Sequence, residues 1–239
     1  MGFSSAKVDS PLAAALRWPL FVLLLPGWFG LVRLAALRLA EEPLDPAVLL
    51  PVGLAAVGFC LHRLLVSGTP GKAGRFAAFL STFEHEATHA LAGLLFLRPP
   101  SELHVTERDG GYMKLATGNW FISLAPYAIP LYALALAGLG FALREELRGF
   151  AAGAAAVLYG GWLSELLRSI HPKQTDLVQR GYVQSIAWIV LFQTALAAVA
   201  LAVASGRWAW GEAAGSAAGA YAACLGLLRA ALGALGGAS

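Results

Sequence analysis

Phe76-Ala-Ala-Phe-Leu80-Ser-Thr-Phe-Glu84-His85-Glu86-Ala87-Thr88-His89-Ala90-Leu-Ala-Gly-Leu-Leu-Phe-Leu97 is apolar at both ends and polar in the middle. Its outer parts suit a bilayer, yet its centre carries two imidazoles and two carboxylates. The HExxH pattern sets His85 and His89 four residues apart. On a helix that is one turn along the axis and about 40° around it. Both rings can then reach one Zn²⁺. Glu86 lies on an adjacent face, where it can act as general base toward water activated at the metal. Ionisable groups inside a membrane cost several kcal/mol or more unless paired or metal-bound. That cost separates this HExxH from a chance match in a soluble helix.

Composition carries the membrane reading to the whole chain. Of 239 residues, 58% are hydrophobic and only 13% charged, against about 25% charged in soluble domains. The expectation is an all-α polytopic membrane protein in contact with the lipid bilayer, integral and multi-pass, in a bacterial-type cell membrane. A net charge of +3 indicates no nucleic-acid partner. Cys60 and Cys224 sit in apolar runs and read as buried small hydrophobes, not a disulfide. Lys7 and Arg17 precede an apolar run that lacks a clear cleavage site, so a retained helix is expected there.

At about 20 apolar residues per crossing, six or seven transmembrane helices are expected. The candidate stretches are residues 18–40, 47–66, 76–97, 120–143, 149–170, 181–204 and 209–235. Gly211, Gly215 and Gly219 are spaced for close packing of the last helix, or mark a low-complexity tail. Lys and Arg divide almost evenly between the two sides, so the positive-inside rule assigns no orientation. The longest connection, 98–119, holds β-prone runs around Asp109-Gly110-Gly111 and reads as a short membrane-associated β-hairpin. No other connection is long enough for a soluble protease or peptide-binding domain.

A catalytic zinc site usually takes three protein ligands. Asp176, in the connection after the fifth stretch, lies on the side of the membrane that His89 approaches. It is the leading candidate, with helix capping as its alternative role. Glu165 and His171 remain open as ligands. Glu165 also suits a salt bridge with Arg168 or support for a ligand histidine. Glu84 points to another face and suits a solvated or supporting role. His62 and His104 read as histidines that satisfy local hydrogen bonds.

With these residues in place, the chain resembles the site-2 protease family of intramembrane zinc metalloproteases over residues 76–180. The resemblance rests on Phe83-Glu84-His85-Glu86-Ala87-Thr88-His89-Ala90-Leu91, on the hairpin with Gly110-Gly111, on Asn119-Trp-Phe-Ile-Ser-Leu-Ala-Pro126, and on Asp176. It implies His85, His89 and Asp176 as ligands, Glu86 as base, and Asn119 in contact with substrate. It also implies a hairpin that aligns an unwound transmembrane protein substrate by edge pairing. The family's site faces the cytosol, which puts the N-terminus outside if seven spans hold. The chain departs from the family in reading Thr175-Asp176-Leu177 instead of Leu-Asp-Gly, and in lacking a sorting domain. The organisation expected is N-terminal helices over 1–75, a catalytic core over 76–180 and C-terminal helices over 181–239. Rival readings are a non-catalytic zinc-binding membrane protein of the same fold, a transporter with ionisable residues along its path, and a membrane zinc enzyme acting on lipid or another small molecule.

Overall fold

The computed structural model describes residues 4–5, 11–41, 46–68, 71–106, 110–116, 118–179, 181–204 and 210–236. The hairpin turn at 107–109, and Lys7, lie outside the described residues. The elements in chain order are β1 (Ser4–Ser5), α1 (Pro11–Glu41), α2 (Pro46–Gly68), α3 (Lys72–Leu95), β2 (Glu102–Thr106), β3 (Gly110–Leu115), α4 (Trp120–Ala128), α5 (Leu131–Ala142), α6 (Glu145–Ser169), α7 (Thr175–Val178), α8 (Tyr182–Ala204) and α9 (Trp210–Gly236). The described residues are mostly helical, with one small sheet.

Three stretches among the described residues are long and apolar enough to cross a membrane: Ala15–Leu37, Leu49–Ser67 and Glu145–Ser169. A fourth arises if α4 and α5 count as one broken span. Large apolar side chains on these helices point outward, such as Leu23, Leu64 and Phe150. Hydrocarbon outside a helix makes such exposure favourable. The same reasoning corrects the two cysteines, which are both exposed rather than buried. An apolar neighbourhood does not mark the packed face when the solvent is itself apolar.

The chain divides into two units, Met1–Ala14 with Leu49–Ile189, and Ala15–Val48 with Val190–Ser239. In the second unit α1 meets α9 at Gly30, where a Cβ would lie 2.6 Å from the Ser216 carbonyl oxygen. Ser216 Oγ donates to the Gly30 carbonyl at 2.8 Å, and the Tyr221 hydroxyl donates to the Leu23 carbonyl at 2.8 Å. Such interhelical bonds contribute about 0.6 kcal/mol each in a membrane. Gly215 and Gly219 have nothing within reach of an added Cβ. The close approach expected of them is made by Gly30 instead, because the contact follows the facing backbone and not the repeat on α9.

The first unit holds the polar residues of the HExxH helix. There α2 and α6 touch backbone to backbone. A Cβ on Gly58 would lie 1.9 Å from the Val157 oxygen, and one on Gly160 1.8 Å from the Ala55 oxygen. This approach lets His62 of α2 reach Ser164 of α6 at 3.0 Å and Ser81 of α3 at 2.8 Å. His62 thus has the local hydrogen bonds expected of it.

Helix α3 ends abruptly. Phe96 caps it, Leu97 adopts φ 55°, and Leu97 and Arg98 donate back to Leu94 and Gly93 at 2.9 and 2.8 Å. This is a Schellman closure with leucine where glycine is usual, and Pro99-Pro100 prevent further helix. The chain turns into β2 and β3, which pair antiparallel with Glu102 opposite Lys114 and Thr106 opposite Gly110. β3 starts at Gly110, whose φ of 80° suits glycine. A third strand, absent from the sequence-based expectation, adds to the hairpin: β1 pairs parallel to β3, Ser4 opposite Lys114. On the hairpin's exposed face the Glu102 carboxylate accepts from Lys114 Nζ at 2.7 Å and from the Tyr112 hydroxyl. The Lys114 ammonium, then the Tyr112 hydroxyl, hold the Glu102 carboxyl below its ordinary range. Full exposure keeps that pair weak in stability terms.

β3 packs its apolar face onto α3 and α4 through Met113, Leu115, Ala92, Ile122 and Ala125. Asn119 starts α4, its Oδ1 accepting the Ile122 N–H at 2.8 Å. The stretch expected as one span over 120–143 breaks by 70° at Ile129-Pro130. A residue before proline is driven to extended backbone, and Ile129 has φ −117° and ψ 104°.

Candidate metal centre

Helix α3 turns its polar face inward. Thr82, Glu84, Glu86, Thr88 and His89 are all buried, and their polarity keeps this stretch out of the simple apolar spans. His85 and His89 share a face as their spacing dictates, with ring centroids 5.0 Å apart. Asp176 reaches them from the first turn of α7. Its Oδ2 lies 3.3 Å from His85 Nε2 and 3.5 Å from His89 Nε2. One ligand atom from each of the three residues falls within 4.8 Å of the others. Asp176 does not cap α7, because Gln174 occupies that position.

The arrangement requires positive charge. His89 Nδ1 lies 2.7 Å from the Ile122 carbonyl oxygen. A carbonyl only accepts, so Nδ1 carries the proton. Nε2 faces a carboxylate oxygen. Two acceptors at this distance repel unless a proton or a metal cation lies between them. Asp176 Oδ1 and Glu86 Oε2 are also buried without a hydrogen-bond partner. Leaving such atoms unsatisfied costs about 1–3 kcal/mol each, more when charged. Two imidazoles, a carboxylate and spare oxygens form a donor set that fits a divalent metal.

Two side chains that sequence reading missed brace Asp176. The buried Tyr127 hydroxyl donates to Oδ2 at 3.3 Å, and Gln174 Nε2 donates to it at 3.4 Å. The Tyr127 ring also stands edge-on to His85, with centroids 5.3 Å apart. The quoted resemblance stopped at Pro126, one residue short. No local pattern marks Gln174, whose role depends on a histidine pair far away in sequence.

The remaining candidates go elsewhere. Glu165 forms a bidentate pair with Arg168, both contacts at 2.8 Å; the charge partner three residues along the helix holds it. His171 is exposed, with Nδ1 accepting the Lys173 N–H at 3.2 Å. Its proline neighbour places it outside the bundle. His104 is exposed and stacks on Tyr112. Asn119 is half-buried, with Oδ1 committed to the start of α4. Glu84 is buried, not solvated, and accepts the Tyr132 N–H at 2.9 Å. It satisfies a donor at the start of α5 that Pro130 leaves without an intrahelical partner, and so ties the bend between α4 and α5 to α3. A small cavity lined by Ser81, Glu84, His85, Tyr127, Trp162 and Glu165 adjoins the histidine-bearing face of α3.

Glu86 lies under the hairpin. A Cβ on Gly111 would sit 2.8 Å from Thr82 Cγ2 and 3.0 Å from Glu86 Cγ. Gly111→Ala must therefore shift β3 or the Thr82 side chain, and it presses on Glu86 as well. Displacements near 1 Å at reacting groups cost about 100-fold in rate. If Glu86 serves in hydrolysis, Gly111→Ala is expected to lower the initial rate by about that factor with metal content unchanged. A wild-type rate would show that the contact relaxes without moving Glu86.

Comparison of the chain with protein-family models, with curated proteins and with solved structures finds no match.

Proposed function

We propose that this protein is an intramembrane zinc metalloprotease, resembling the site-2 proteases, that hydrolyses peptide bonds in or near transmembrane segments of other membrane proteins. In this reading the chain crosses the bilayer six or seven times. The observation that carries the proposal is the convergence of His85, His89 and Asp176 beside a buried Glu86 whose Oε2 has no partner.

His85 and His89 would hold zinc through their Nε2 atoms and Asp176 through its carboxylate. Bound there, the ion would supply Lewis acidity toward water and toward the scissile carbonyl. Glu86 takes the proton from the attacking water at its free carboxylate oxygen and then delivers it to the departing amine nitrogen. Tyr127 and Gln174 keep the Asp176 carboxylate oriented. A transmembrane helix hides its carbonyls in backbone hydrogen bonds, so the substrate must unwind first. The hairpin offers strand edges on which an unwound segment can pair, and Asn119 beside it can bond the substrate through its amide N–H groups.

Purified protein is expected to contain about one zinc per chain, and His85→Ala close to none. Chelation should stop cleavage of a membrane substrate in detergent or vesicles, and added Zn²⁺ should restore it. Cleavage that survives complete removal of metal would end the proposal.

A further inference from the structure

In an α-helix each carbonyl accepts the N–H four residues ahead. For Ile122 that residue is Pro126, which has no N–H and whose ring crowds the carbonyl four residues back. The turns on either side are bonded normally. Ser123 N–H donates to Asn119 at 3.0 Å, and Ile129 N–H donates to Ala125 at 2.9 Å. The missing donor therefore coincides with a carbonyl of α4 that meets α3. His89 Nδ1 occupies that place at 2.7 Å, in a fully buried setting.

We infer that Pro126 is a positioning residue for the metal centre: by withholding its own N–H, it keeps the Ile122 carbonyl as the acceptor that fixes His89 in its Nδ1–H tautomer, with the Nε2 lone pair directed at Asp176 and His85. This rests on the metal reading above. Any other residue at 126 supplies an N–H directed along the helix at the same oxygen. The carbonyl then swings back toward the helix axis, and the hold on the imidazole weakens. Outer hydrogen bonds of this kind set ligand orientation and basicity, and losing one typically lowers metal affinity by about 10–100-fold. The helix itself gains a bond, so the effects on metal affinity and on folding should run in opposite directions. A merely structural proline would not separate them.

Two measurements test this on the full-length protein. The first is ¹⁵N NMR of the histidine rings in metal-free wild type, with His89 assigned by comparison with His89→Gln. Protonated Nδ1 is expected, and an unprotonated Nδ1 overturns the inference whatever the variants do. The second is zinc affinity by chelator competition in Pro126→Ala and Pro126→Val, alongside thermal unfolding without metal. Valine refills the space of the ring and still carries an N–H. Zinc binding weakened by about 10–100-fold with a melting temperature at or above wild type supports the inference. A folded variant with wild-type zinc affinity overturns it. Wild type that shows the expected tautomer but binds no zinc overturns the metal reading, and with it the purpose assigned to Pro126.

Discussion

Glu86→Gln is expected to keep its metal and to lose peptide-bond hydrolysis altogether. Glutamine matches the shape of glutamate closely enough to fit beneath Gly111, where the Glu86 side chain is already confined. Its amide has no basic oxygen to take the proton from water and no acidic proton for the departing amine. Loss of general acid–base help alone costs about 100- to 10,000-fold, and one group serving both steps puts the loss at the upper end. Glu86 is not among the three residues proposed to hold the metal, so zinc stoichiometry should match wild type. The two readouts separate binding from chemistry. A Glu86→Gln protein that cleaves at the wild-type rate would remove the general base and, with it, most of the case for a protease.

Asp176→Ala should empty the metal site. The carboxylate is 1% exposed and has four polar side chains gathered at one oxygen. Without it, two histidines remain, and zinc held by two protein ligands lacks the three that catalytic sites use. Metal analysis should show near-complete loss. Asp176→Asn, which keeps the volume and one oxygen, should bind more weakly than wild type and better than alanine. Glu165→Ala and His171→Ala should both retain zinc, since one carboxylate is spent on Arg168 and the other side chain faces outward. Full zinc in Asp176→Ala together with loss in Glu165→Ala would reassign the third ligand.

Those two expectations have different roots. His85, Glu86 and His89 were legible because an i, i+4 pair is a local relation that any regular helix enforces. The hairpin was legible for the same kind of reason: β-prone runs around a glycine turn declare a reversal within a few residues. Its third strand was not, since β1 pairs with residues more than a hundred positions away. Glu84 read as solvated or supporting, and the choice stayed open because its partner, the Tyr132 N–H, lies at the break between α4 and α5. The cysteines and the α9 glycines misled for another reason. In a chain with an apolar exterior, hydrophobicity no longer tells inside from outside.

Asp176 stands between these cases. The sequence made Asp176 the leading third ligand by membrane side and left Glu165 and His171 open, because depth along a helix says little about direction. Tertiary packing brings Asp176 to the histidine pair, through a contact to His85 that spans 91 residues, while Glu165 pairs with Arg168. Thus the amino-acid sequence by itself determined the local chemistry, an HExxH helix in an apolar chain followed by a hairpin. Only the fold decided what surrounds it, namely Asp176 as third member, Tyr127 and Gln174 as its braces, and the Ile122 carbonyl under His89. Each of those partners lies on a different element, and no periodicity within one segment can encode a meeting between segments.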